Sequence, residues 1–171
     1  MNDKKETTDI IVEHKLSGVS PEMIDWWWDH IDNSERYRLW HPRDHKSFEW
    51  EISPRDVKGH VGAIHRVVET IEGRPTTLRI RWENPDSIPI KAEFNHKNAA
   101  SVLDNKNNPM SWILHEYQSI PNGTLLRSTF RLPAQIPNSF IEHLRKHNIE
   151  EIGYFTEFLP SLYKERSVIT K

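Results

Sequence analysis

The chain contains no cysteine. Disulfide scaffolds, thiol nucleophiles and cysteine-ligated zinc are therefore excluded, and any metal must be held by His, Asp and Glu. An excess of one charge is missing too: 23 basic side chains stand against 25 acidic ones. That balance argues against a nucleic-acid partner, which usually meets a basic face. No apolar run approaches the ~18 residues that a bilayer-spanning helix needs. MNDKKETTD at the start is followed by no signal-like apolar stretch, so a cytoplasmic location is expected. Internal repeats, low-complexity tracts and linkers are also lacking, and 171 residues suit one domain, 1–171, with a real core.

Histidine and tryptophan are abundant instead, at 10 and 7 residues. Histidine is the commonest metal ligand and titrates near neutral pH. Tryptophan lines pockets for flat ligands and equally fills cores.

The hydrophobic period changes along the chain. Thr8 to Gly18 carries Ile10, Ile11 and Val12 and reads as a strand. Ser20-Pro21-Glu22 is a helix start, with a capping hydroxyl, a proline at the first helical position and an acid at the positive helix end. That helix runs through Trp26-Trp27-Trp28 to about Ile31, and a second covers Ser34 to Trp40 and stops before Pro42. Six strands are then expected: Ser47–Ile52, His60–Ile71, Thr76–Glu83, Ile88–Phe94, Ser111–Ile120 and Thr124–Leu132. The polar stretch Asn95–Asn108 reads as a loop, and a final helix spans about Asn138 to Tyr163. This order predicts an α+β helix-grip fold (Bet v 1-like, START-like): about seven antiparallel strands curved around a long C-terminal helix, with two short helices after the first strand.

At ~100° per residue, Phe140, Leu144, Phe155, Phe158 and Leu162 form one apolar stripe on the last helix. His147 and Glu151 fall about 20° to either side of Phe140, so both point where the core should be. A carboxylate there is costly to bury without a cation. The two could reach one metal ion. Equally, they could form a buried His–Glu pair, or Glu151 could meet Arg79, Arg81, Arg127 or Arg131. Upstream, His41 and His45 flank a helix-ending proline, with Asp44 placed to orient either imidazole. A polar corner stapled by Tyr37 and Trp40 explains that stretch as well. Glu69 and Glu83 are the candidate strand carboxylates. His115 and Tyr117 share a strand face and could serve as acid/base and orienting phenol; His96 opens the polar loop and could do the same. A solvated surface position is the default for each.

Three segments together resemble the diacetylphloroglucinol hydrolase family, which includes phloretin hydrolase. They are Trp26-Trp27-Trp28-Asp29-His30 with Arg36 to His45, then Gly62-Ala63-Ile64-His65-Arg66-Val67-Val68-Glu69, and His147-Asn148-Ile149-Glu150-Glu151 leading to Phe158-Leu159-Pro160-Ser161-Leu162-Tyr163. The resemblance implies hydrolysis of a carbon–carbon bond between an acyl group and a phenolic ring, in a helix-grip cavity. It implies zinc on His45, Glu69, His147 and Glu151, with Glu83 the alternative to Glu69; manganese or iron would accept the same ligands. Tyr37 matches a substrate-contacting tyrosine, with Trp40 and His41 beside it as further substrate-binding groups. His96, His115 and Tyr117 are candidates for the remaining catalytic histidine and tyrosine. The substrate would be a small aromatic ketone, and the resemblance is compatible with a homodimer. The family's characterised hydrolases carry an additional N-terminal region without a counterpart in this sequence, which bears on substrate more than on metal. Two rival readings need no metal: a carrier of small aromatic ligands, and a polyketide cyclase-like enzyme.

Overall fold

The computed structural model describes residues 6–56 and 60–166, so the ends of the expected 1–171 domain and positions 57–59 lie outside the described residues. Strand β1 (Thr7–Ser17) leads into helices α1 (Pro21–His30) and α2 (Ser34–Trp40). Strands β2 (His45–Ile52), β3 (Ile64–Ile71), β4 (Arg74–Glu83), β5 (His96–Leu103), β6 (Pro109–Ile120) and β7 (Gly123–Pro133) follow, and helix α3 (Asn138–Glu165) closes the chain. The seven strands form one antiparallel sheet in the order β1-β7-β6-β5-β4-β3-β2. With the long C-terminal helix packed against it, this is the helix-grip arrangement.

Local chemistry sets the two short helices. Ser20 Oγ accepts from the Met23 amide at 3.3 Å, with Pro21 at the first helical position. Asn33 Oδ1 caps α2 by accepting from the Arg36 amide at 2.8 Å. Successive ~100° steps then give the three adjacent tryptophans different fates. Trp26 stacks on His30, Trp27 is fully buried edge-on to Phe155 and Phe158, and Trp28 turns toward the sheet and stacks on His115.

One expected strand is wrong and one expected loop is wrong, and they are neighbours. Ile88–Phe94 is not a strand; the fifth strand is His96–Leu103, inside the stretch read as a loop. The period-2 signal at 88–92 is genuine, because Ile88 and Ile90 are buried and Pro89 and Lys91 exposed. But the segment lies over the outer face of the sheet, packing on Ala99, Leu114 and Trp112. The amides of Glu93 and Phe94 donate to the buried Glu116 carboxylate at 2.7 and 3.0 Å instead of to a strand neighbour. Beneath it, β5 buries Ala99 and Ser101, with a large apolar side chain only at its last residue, Leu103, and so carries little strand signature in sequence.

Candidate metal centre and cavity

Helix α3 presents His147 and Glu151 side by side on its buried face, as the apolar stripe predicts. Pro42 ends α2's run and turns His45 inward at the start of β2, where its Nδ1 donates to the Tyr37 carbonyl at 2.9 Å. The β2–β3 register sets Glu69 opposite His45. The four side chains converge. His45 Nε2 lies 3.2 Å from His147 Nε2, 3.5 Å from Glu151 Oε2 and 3.6 Å from Glu69 Oε2. His147 Nε2 lies 3.2 Å from Glu151 Oε2. Donors sharing one tetrahedral zinc at 2.0–2.1 Å stand about 3.4 Å apart, close to these separations.

Proton bookkeeping points the same way. The Tyr37 carbonyl only accepts, so in a neutral His45 the hydrogen sits on Nδ1. His147 Nδ1 lies 3.1 Å from Asp44 Oδ2, and nearby imidazoles and Arg43 hold Asp44 below the usual carboxylate range despite its burial, so His147 likewise donates from Nδ1. Both Nε2 lone pairs then face one another and two carboxylates, with no hydrogen between them. Such a set demands a cation. Without a metal, a proton must serve. Burial lowers the pKa of His147, but the Glu151 carboxylate more than reverses this and lifts it to about 10. Burial would raise Glu151, yet the two histidines drive it well below its ordinary value. The donor set therefore fits a divalent metal, and His45, His147 and Glu151, as well as His41, Asp44 and His147, form groupings that could hold one.

Further groups hold these candidate donor atoms in place. The Tyr37 hydroxyl donates to Glu69 Oε2 at 2.5 Å, and its ring stacks on His45 at 3.8 Å. Asn148 donates to Glu151 Oε1 at 3.3 Å and to Ser128 Oγ at 3.1 Å, while its Oδ1 meets His14 Nε2 at 3.0 Å. Asn148 escapes sequence reading, although at about 80° from Phe140 it mirrors Glu150 on the opposite edge of the buried face.

The cluster opens onto a cavity of about 440 Å³ between sheet and helix. Tyr37, Trp40, Glu69, His115, His147 and Glu151 all line it. Three other expected site residues lie elsewhere. His41 is fully buried behind His147, stacked at 4.6 Å, with its Nδ1 accepting from the Asp44 amide, so it does not line the cavity as a substrate contact. His96 and Tyr117, cross-strand partners, share Asp25: His96 Nδ1 lies 2.8 Å from Asp25 Oδ2, and the Tyr117 hydroxyl donates to Oδ1. Tyr117 and Asp25 line a separate surface pocket together with Glu83. Glu83 itself accepts from Arg81 at 2.6 Å and Ser101 at 2.7 Å, and is not part of the His45 cluster.

His65 is the cavity residue whose role the sequence leaves undefined. It shares the inward face of β3 with Val67 and Glu69. Trp82 Nε1–H donates to its Nδ1 at 3.0 Å; an indole can only donate, so the His65 hydrogen sits on Nε2. Burial, aided by His45, pushes its pKa down to about 3. Burial likewise pushes His115 down to about 4, against a smaller opposing effect of Glu151. Both rings are thus neutral at physiological pH. A neutral His115 is a hydrogen-bonding group toward a bound ligand and is not charged to deliver a proton, as a general acid would be.

Acid should therefore destabilise the metal-free protein. Between pH 6.5 and 4 the unfolded chain holds a proton on residue 115 that the folded protein refuses, so stability falls as pH falls, by about 1.4 kcal/mol per unit for this buried ring. His65 adds in the same direction. Urea titrations at pH 6.5 and 5 in chelator check this; a His115→Gln variant should show a visibly shallower dependence, and an identical one would remove His115 as a cause.

The DAPG hydrolase PhiG domain family matches residues 6–143, most of the chain but short of His147 and Glu151. Phloretin hydrolase of Eubacterium ramulus is 24% identical over 180 residues, covering 88% of this chain and 65% of that protein. The 2,4-diacetylphloroglucinol hydrolase of Pseudomonas protegens is 24% identical over 189 residues, covering 86% and 61%. The chain thus spans just under two thirds of the length of these relatives. Among solved structures, that of Ara h 8.0201 superposes with a TM-score of 0.63 over 91% of this chain and 99% of that one, at 11% identity, which bears on the fold alone. With most of its length matched, this chain belongs to the DAPG hydrolase family.

Proposed function

We propose that the protein is a zinc-dependent hydrolase that cleaves the carbon–carbon bond between an acyl group and a phenolic ring, with the metal on His45, Glu69, His147 and Glu151. The observation that carries this reading is the convergence, within 3.2–3.6 Å of His45 Nε2, of a second imidazole Nε2 and two carboxylates on the wall of an apolar cavity. Family membership and the relatives' names support the bond type.

The reaction adds water across one bond. The water oxygen joins the acyl carbon, the carbon–carbon electron pair leaves with the ring carbon, and a proton from water ends on that carbon. A phenolic ring in its keto form makes the departure feasible. Bound zinc would polarise the acyl carbonyl and lower the pKa of water. The chain supplies the rest. Asp44 and the Tyr37 carbonyl fix both imidazole tautomers, and Tyr37 and Asn148 fix the two carboxylates. Trp28 and Trp40 line the cavity beside the ring, and neutral His65 and His115 offer hydrogen bonds to its oxygens. The apolar walls exclude bulk water.

The cavity also suits a carrier that binds aromatic ligands unchanged, and one experiment separates the two. Zinc-loaded protein should release carboxylic acid and deacylated phenol from acylphloroglucinols, and a chelator should stop it. Removing zinc that was present at about 100 times its dissociation constant should cost about 2.7 kcal/mol, or roughly 5–10 °C in Tm for a domain of this size. Ligand binding without turnover, and no effect of chelator, would favour the carrier.

A further inference from the structure

The cavity has two chemically different ends. On β6 the lining runs from Ile113 to His115, on β7 it comprises Phe130 and Leu132, and on α3 it runs from Phe140 and Leu144 to His147 and Glu151. The polar ends meet: His115 Nδ1 lies 2.8 Å from Ser128 Oγ, which accepts from Asn148, which in turn donates to Glu151. The apolar ends meet as well, since Ile113, Ile136, Phe140 and Leu144 pack with Phe130 and Leu132 in one cluster. Ile113, Ile136, Phe140 and Leu144 are only half-buried there and line the cavity, so the lobe is apolar wall without its own filling. Along α3 it extends roughly 10 Å from His147 to Phe140.

From this polarity we infer that the preferred substrates are acylphenols with a long apolar acyl chain of about six to eight carbons, the chain lying in the lobe between Leu144, Phe140 and Ile113. The inference rests on the proposed acylphenol hydrolysis. Hydroxyl groups on the ring lose their water on entry and need partners, and the polar end concentrates them: the His65 Nε2–H, His115 and the carboxylate cluster, whereas Ser111 and His143 stand singly among the apolar side chains toward the other end. The ring is thereby committed to that end. With the acyl carbonyl at the metal ligands, what hangs from it must point along α3 toward Phe140. An acetyl group would leave the lobe filled only by water against apolar walls. Each methylene added there removes apolar surface from water on both partners.

A series of monoacylphloroglucinols from acetyl to decanoyl tests this, assayed with zinc-loaded protein. The expected kcat/KM rises about fourfold per methylene over the first additions and levels off near six to eight carbons. A flat series, or one that peaks at acetyl while turnover is clear, overturns the inference and leaves the hydrolase reading standing. Alkylphloroglucinols, which have no carbonyl to hydrolyse, isolate the lobe: their Kd should tighten by a similar factor per methylene. No turnover anywhere, with that Kd trend present, sinks the hydrolase and keeps the lobe. A Kd independent of chain length sinks the lobe. Leu144→Phe narrows it and should move the optimum to shorter chains; Ile113→Phe does so from the opposite wall should the first variant fold poorly.

Discussion

Alanine at position 147 is expected to empty the protein of zinc and to abolish turnover. His147 Nε2 stands 3.2 Å from both His45 Nε2 and Glu151 Oε2, the two shortest separations in the cluster, so its loss removes a central donor. Even groups that merely orient a ligand typically cost 10–100-fold in affinity, so loss of a ligand itself should exceed about 100-fold. Elemental analysis should fall from near one zinc per chain to near none, with no acylphenol cleavage detectable. The fold should survive, since the position lies on the cavity wall and the aromatic core around Trp27, Trp40 and Phe155 is untouched. Survival has a cost, because Asp44 and Glu151 each lose an imidazole partner, and a buried carboxylate left unpaired costs about 3–5 kcal/mol. Glu151 still has His45 at 3.5 Å, which moderates the loss. His147→Gln, which keeps volume and a polar end, guards against simple unfolding. Full zinc content and normal rates in both variants would refute the metal assignment.

Glutamine at position 69 should be nearly as damaging, whereas glutamine at position 83 should be almost silent. Glu69 faces His45 across the β2–β3 pair, takes the Tyr37 hydroxyl and lies on the cavity wall. Its amide analogue loses the negative charge that a divalent cation needs, so zinc affinity and kcat/KM should both drop by more than about 100-fold. Glu83 sits on the next strand, occupied by Arg81 and Ser101. Its neutralisation breaks a partly exposed pair, an effect of about 1 kcal/mol or less on stability and none on zinc. Zinc titration of the two variants side by side decides the matter. Equal retention of metal would remove Glu69 from the ligand set, and loss in Glu83→Gln alone would reverse the assignment.

The contrast between these two glutamates shows where sequence reading stops. Alternation on β3 groups His65, Val67 and Glu69 on one face but does not say that this face is the inner one. Nothing local distinguishes Glu69 from Glu83, because the distinction comes from register: β2 aligns His45 with Glu69, while β5 lies opposite Glu83 and places Ser101 within its reach. The displaced fifth strand has a similar origin. Two neighbouring stretches compete for one place in the sheet, and the one with the clearer alternation lies outside because Glu116 captures its amides.

By itself the sequence determined what depends on near neighbours. Caps and prolines place α1 and α2, the change of hydrophobic period announces sheet then helix, and a 3.6-residue period alone aims His147 and Glu151 inward. Helix geometry is local, so its faces can be drawn from the chain. Tertiary structure alone decided which strand carboxylate joins them, that His41 stands behind His147 and not on the cavity wall, that His96 and Tyr117 pair with Asp25 away from the cavity, and that His65 and Asn148 belong to the site. Those facts depend on strand register, on the inside and outside of a curved sheet, and on hydrogen bonds between residues distant in the chain, none of which a local pattern encodes.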